Sequence, residues 1–185
     1  MRTFIAIDLD PRVKKALEEF ILRLRPYGGD VRWVNPAGMH LTLKFLGETS
    51  GEKATAVKAC LAGIAHHHAP FPLKLCGTGT FPGGRQAPRV LWVGFEESPP
   101  LKALQAEVDR EMEKLGFPVE QRPFHPHLTL GRVKGPSGLG SLLREFEKEK
   151  TAFFGEMEVK RLTFFQSLLQ PSGAQYIVLA EYPLG

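Results

Sequence analysis

With 185 residues, 43% hydrophobic and 24% charged, the chain has the composition of one ordinary globular domain over residues 1–185, which excludes a disordered or fibrous protein. Its 24 Lys and Arg against 20 Asp and Glu leave a net charge of +4 and a pI near 9.1, too mild for a DNA-wrapping protein but suited to an anionic substrate. No apolar run reaches the roughly 18 residues of a membrane span, and the opening MRTFIAIDLDPR lacks a signal peptide's blocks, so a cytoplasmic protein is expected.

Thr3 to Leu9 reads as a buried strand ended by Asp10-Pro11. Val13, Ala16, Leu17, Phe20, Ile21 and Leu24 then recur at helical spacing, with Asp10 as N-cap, Pro11 in the first turn and Tyr27-Gly28-Gly29 as the stop. A short strand over Val31 to Val34 and a turn at Asn35-Pro36 lead to a strand from His40 to Leu46, ended by Gly47. Residues 51–65 form a second helix, followed by strands Phe71 to Thr80 and Val90 to Phe95 around the loop Phe81-Pro82-Gly83-Gly84-Arg85. A third helix spans about 100–115 and stops at Gly116; an extended segment through Pro118, Pro123 and Pro126 leads into a strand beginning at His127. A short fourth helix around 140–149 precedes two last strands, Met157 to Leu168 and Gln175 to Glu181, joined at Pro171-Ser172-Gly173. Strands joined by turns predict an α+β fold with antiparallel sheets rather than a doubly wound parallel one. Cys60 and Cys76 fall in apolar helix and strand patterns, form no CxxC pair and read as reduced core residues.

The tetrapeptide HLTL occurs twice, at His40-Leu41-Thr42-Leu43 and His127-Leu128-Thr129-Leu130, whereas chance at this composition supplies it only about 0.005 times. Side chains alternate along a strand, so in each copy His and Thr share one face and both Leu the other. The Leu face suits a core, and the His and Thr face can line a cleft. One such strand is ordinarily an amphipathic strand with its polar face in solvent. Two copies 87 residues apart, near half the chain, point instead to two related lobes, two antiparallel sheets flanked by helices, facing one cleft.

Two imidazoles on one substrate can serve as acid and base near neutral pH, and two hydroxyls can donate to the non-bridging oxygens of a phosphate. That combination points to phosphodiester cleavage, with nothing in the spacing to say which imidazole is the acid. Arg132 breaks the alternation: counting from His127 and Thr129, Gly131 falls on the cleft face and Arg132 on the core face, where an unpaired guanidinium is costly. A bulge at Gly131 would turn Arg132 toward the phosphate. Lys44 has the parity of His40 and Thr42, and with Arg32, Arg85, Arg89, Arg122 and Lys134 is placed to border the cleft or to form a solvated basic surface. Trp33, Phe81 and Phe124 can stack a base but fit the core better. His66-His67-His68 reads as imidazoles at a helix C-terminus rather than a metal site, because neighbouring helical residues diverge. His125 and His127 form an HxH pair without a third ligand, and no GK[ST] follows the glycines at 77–84, so neither a metal nor a nucleotide cofactor is expected.

The stretches VRWVNPAGMHLTLKFLGE and GFPVEQRPFHPHLTLGRVK resemble the two signature regions of the two-histidine phosphoesterase superfamily. More narrowly, they resemble bacterial and archaeal RNA 2′,3′-cyclic phosphodiesterases, also called 2′-5′ RNA ligases; RTFIAIDLDP, GTGTFPGGRQAPRVLWVG and SLLQPSGAQYIVLAEYPL extend the likeness over most of the chain. The resemblance implies a bilobal α+β fold, hydrolysis of an RNA 2′,3′-cyclic phosphate end to a 2′-phosphomonoester, 2′-5′ joining of RNA as the reverse activity, and no metal or cofactor. By position it makes His40 the proton donor, His127 the proton acceptor, and Thr42, Thr129 and Arg132 the phosphate-binding groups. RNA ends, tRNA fragments among them, or cyclic nucleotides are the implied partners of a monomeric enzyme. The alternatives are a non-catalytic RNA-end or nucleotide-binding module, which would protect the cyclic phosphate, and a cyclic phosphodiesterase for small nucleotides.

Overall fold

The computed structural model describes residues 1–185, as four α-helices and nine strands. In chain order these are β1 (Arg2–Asp8), α1 (Pro11–Leu24), β2 (Asp30–Trp33), β3 (His40–Glu48), α2 (Gly51–His67), β4 (Phe71–Phe81), β5 (Val90–Phe95), α3 (Pro99–Lys114), β6 (His127–Gly135), α4 (Leu139–Lys148), β7 (Phe153–Val159), β8 (Arg161–Gln170) and β9 (Gly173–Pro183). The Asp10 side chain accepts from the Arg12 backbone N–H and Pro11 opens α1, whose Val13, Leu17, Phe20, Ile21 and Leu24 are buried.

The strands form two antiparallel sheets, β3-β1-β8-β9 and β2-β6-β5-β4-β7. Each carries one HLTL strand. The lobes are not the two halves of the chain: β2, near the N-terminus, edges the second sheet, while β8 and β9, at the C-terminus, complete the first. Helices α2 and α3 pack on the first sheet and α1 and α4 on the second. One continuous cluster of 38 buried apolar residues draws from both sheets and all four helices. Leu41, Leu43, Leu128 and Leu130 belong to it at no more than 4% exposure, each contributing about 1.5–3 kcal/mol by burial, and so anchor the motif strands by their apolar faces.

Most element edges shift by a few residues, and two departures change the reading. The first motif strand continues through Gly47 to Glu48. The expected strand Met157 to Leu168 is two strands, β7 and β8, in different sheets, with the break at Lys160. The histidine run stands at a helix C-terminus as read: His66 and His67 lie in the last turn of α2, while His68 caps it in an extended conformation. That geometry lets His67 Nδ1 and His68 Nε2 both reach Glu107 of α3, at 2.9 and 2.7 Å. Cys60 and Cys76 are unpaired and half-buried.

Candidate active site

Strands β3 and β6, one from each sheet, approach each other. Their His and Thr residues are half-buried while the intervening Leu are buried. His40, Thr42, His127, Thr129 and Arg132 all line one cleft of about 1030 Å³.

Each motif strand departs from regular pairing at its fourth residue. Phe4 of β1 opposes Phe45, Ile5 opposes Lys44 and Ala6 opposes Thr42, so Leu43 is an extra residue in β3. Leu91 of β5 opposes Gly131 and Trp92 opposes Thr129, so Leu130 is the extra residue in β6. In both strands the bulged Leu and the residue after it are buried together, and the next side chain emerges into the cleft. In β6 the buried follower is Gly131, where a Cβ would stand 2.6 Å from Val31 Cγ1 and 3.1 Å from Trp33; only a bare backbone fits, and Arg132 emerges. In β3 the buried follower is Lys44. Lys44 borders the cleft, as its parity predicts, but is buried, and its ammonium pairs with the half-buried Asp109 of α3 and donates to the Pro118 carbonyl at 2.8 Å. Phe45 emerges in its place, 75% exposed, at the position equivalent to Arg132.

The two imidazoles rest on aromatic floors. His40 stacks on Phe4 at 4.6 Å and Phe165 at 5.3 Å, with Tyr176 edge-on at 4.7 Å. Phe4, Ala6 and Phe165 form a small buried cluster separate from the main core, which is why β1 is apolar on both faces. Burial in this box pushes the His40 imidazole down to about 4, opposed by a hydrogen bond with the Gly38 backbone and by Asp8. His127 meets Phe81 edge-on at 5.0 Å and Trp92 at 6.4 Å. Trp92 spreads over Gly79, where a Cβ would lie 2.1 Å from the indole. Burial lowers the His127 pKa as well; the hydrogen bond to the His125 backbone opposes this, while the charges of His125 and Arg132 add to it. Nδ1 of His127 lies 2.7 Å from the His125 carbonyl, which accepts its proton and leaves Nε2 as the free nitrogen. The His127 ring is thus held by the backbone two residues upstream.

Of the aromatics considered from sequence, Trp33 packs on the core against Gly131, whereas Phe81 and Phe124 line the cleft. Phe45 and Tyr176 line it too and were not anticipated. Tyr176 lies on β9, far from either motif in sequence, with no signal to mark it. The segment between α3 and β6 forms one wall, tethered by the Lys44 bond to Pro118 and contributing Glu120, Arg122 and His125.

The family model of the 2′-5′ RNA ligase superfamily matches residues 13–170. An RNA 2′,3′-cyclic phosphodiesterase of Archaeoglobus fulgidus is 35% identical over 95% of this chain and 96% of its own length. One of Thermotoga maritima is 36% identical over 98% and 94%. Among solved structures, TT0787 of Thermus thermophilus superposes with a TM-score of 0.84 at 33% identity, covering 100% of this chain and 98% of that one. Escherichia coli LigT complexed with 3′-AMP superposes with a TM-score of 0.78 at 28% identity, covering 99% and 97%. Likeness of this extent, carried by a fold that brings both HLTL motifs into one cleft, places the chain in the 2′-5′ RNA ligase superfamily of two-histidine phosphoesterases.

Proposed function

We propose that this protein hydrolyses the 2′,3′-cyclic phosphate at the end of an RNA to a 2′-phosphomonoester. The observation that carries the reading is the convergence of His40, Thr42, His127 and Thr129 on one cleft from strands of two different sheets. The names of the relatives and the nucleotide bound by LigT support the substrate class.

In this mechanism His127 accepts a proton from water through its free Nε2, and the oxygen attacks phosphorus. The bond from phosphorus to the ribose 3′-oxygen breaks, and His40 delivers its proton to that oxygen, leaving a 3′-hydroxyl and a 2′-phosphate. Thr42, Thr129 and Arg132 donate to the non-bridging oxygens as charge builds on them. The Phe45 ring offers a face for the terminal base. Family resemblance assigns the donor and acceptor roles and the 3′-oxygen as leaving group. Replacing water by the 5′-hydroxyl of a second RNA gives a 2′-5′ bond with the same proton transfers and no ATP. The physiological setting that fits is a monomer acting on RNA ends, tRNA fragments among them, in the cytoplasm; no helix is long and apolar enough to cross a membrane.

An RNA ending in a 2′,3′-cyclic phosphate tests the reading directly, with products separated against 2′- and 3′-phosphate standards. Ring opening to the 2′-phosphate is expected. A ring that is bound but stays intact would identify a binding module, and a 3′-phosphate product would overturn the assigned leaving group.

A further inference from the structure

Beside the cleft, the second sheet gathers positive charge that the reaction at phosphorus does not use. Arg32 of β2 is the direct cross-strand partner of Arg132 in β6. Directly opposed residues of an antiparallel pair project from the same face, with Cβ atoms about 4.5–5.5 Å apart, and like charges placed so are destabilising. The neighbours confirm the orientation: Val31, Trp33 and Val133 pack on the core, so Arg32 and Arg132 face away from it. Lys134 lies two residues beyond Arg132. Arg89 stands at the same corner, its carbonyl accepting from the Val133 N–H. All four cations are exposed. None takes part in any ion pair of the chain. The nearest acid in the strand pairing, Asp30, opposes Gly135 and neutralises none of them.

Of the four, only Arg132 lines the cleft. The others continue from it along the end of β6, with no acid at ion-pair distance from any of them. Such a row fits a polyanion that enters the cleft at one end and lies along the sheet corner. We infer that Arg32, Arg89 and Lys134 bind the phosphodiester backbone of the RNA upstream of its cyclic end. The inference rests on the assignment of the cleft to RNA ends. It divides the work: groups in the cleft act on the terminal phosphate, and the corner senses whether a chain is attached to it. A cyclic mononucleotide, with no upstream phosphodiester, gains nothing from the corner.

The test compares wild type with Arg32→Gln, Lys134→Gln and the double variant on two substrates: a 2′,3′-cyclic mononucleotide and an RNA of about ten nucleotides ending in the same cyclic nucleotide. The double variant should lose about tenfold in kcat/KM on the oligonucleotide and nothing on the mononucleotide. Its salt dependence on the oligonucleotide should flatten by about 0.7 in log–log slope for each phosphate contact removed, and Arg32→Lys should retain most of the rate. Equal losses on both substrates would move Arg32 into the terminal-phosphate site and overturn the inference, as would no loss on either. Failure of the wild type to open either ring would count against the proposed reaction and not against the corner. In that case a fluorescein-labelled RNA ending in a 2′-phosphate still decides it, since undiminished binding by the double variant overturns the backbone site.

Discussion

The proton inventory of His40 makes a quantitative prediction. With its pKa held to about 4 by burial, roughly one ring in a thousand carries a proton at pH 7 in the free protein, and charging it there costs about 4 kcal/mol at 1.36 kcal/mol per pH unit. A proton donor so rarely charged would leave the free enzyme nearly idle. The substrate supplies the remedy, because a cyclic phosphate is a monoanion. At about 4 Å and an effective dielectric of about 20 it attracts an imidazolium by about 4 kcal/mol, which offsets the cost and returns the bound donor to near neutrality. The pH profile of kcat/KM reports the free enzyme and that of kcat the complex, so the two must differ. Both limbs of the kcat/KM bell should lie below the ordinary imidazole value of about 6.5, since burial lowers His127 as well. The alkaline limb of kcat should lie above that of kcat/KM, by up to about 3 units, each limb belonging to the coupled pair. Initial rates on a 2′,3′-cyclic nucleotide between about pH 4 and pH 9 measure both. Coincident alkaline limbs, or a kcat/KM limb above about 7, would refute the claim that substrate charge protonates the donor.

The remaining expectations concern substitutions. His40→Ala and His127→Ala should each lower turnover by about 10²–10⁴, with the double variant far short of the product; Thr42→Ala or Thr129→Ala should cost about 10–10³, and full activity in either His variant would end the assignment. Phe45→Ala should raise KM about 5- to 100-fold on a purine end while Phe45→Trp retains binding, and an unchanged KM would remove the ring from the base site. Lys44→Met leaves the half-buried Asp109 carboxylate without its partner and should destabilise by up to about 3 kcal/mol in denaturant melts, part of it restored by adding Asp109→Leu. Gly131→Ala drives a Cβ into Val31 and should cost about 1–3 kcal/mol together with activity, because Arg132 is displaced; wild-type stability in this variant would show the contact to be slack.

Much of this architecture is written in local pattern. The HLTL strands are legible because four Leu on one parity must be buried and two polar residues on the other need not be. Helix α1 is legible from Asp10, Pro11 and its apolar stripe. The break at Lys160 is marked only by the exposed pair Lys160-Arg161 between buried Met157 and Val159 of β7 and buried Leu162 and Thr163 of β8, an interruption that does not say the chain changes sheets. Sheet membership depends on pairing partners far away in sequence. The same limit hides Tyr176, which reaches His40 through the pairing of β9 with β8 and of β8 with β1.

The two bulges separate what alternation can reveal from what it conceals. At Arg132 regular alternation predicts an unpaired cation in the core, and that misfit points to the bulge before any coordinates do. At Lys44 and Phe45 regular alternation predicts a cation in the cleft and a phenyl ring in the core, an arrangement so ordinary that nothing signals a shift. The bulge at Leu43 sends the ring out and buries the cation at the cleft's edge, where Asp109 meets its ammonium. Identical tetrapeptides followed by identical distortions therefore deliver different side chains: a guanidinium from β6 and an aromatic face from β3. A cleft that was symmetric beyond the tetrapeptides would present two guanidiniums or two exposed phenyl rings at these positions. The asymmetry begins one residue after the repeat ends, which is where recognition of a nucleotide must depart from recognition of a phosphate.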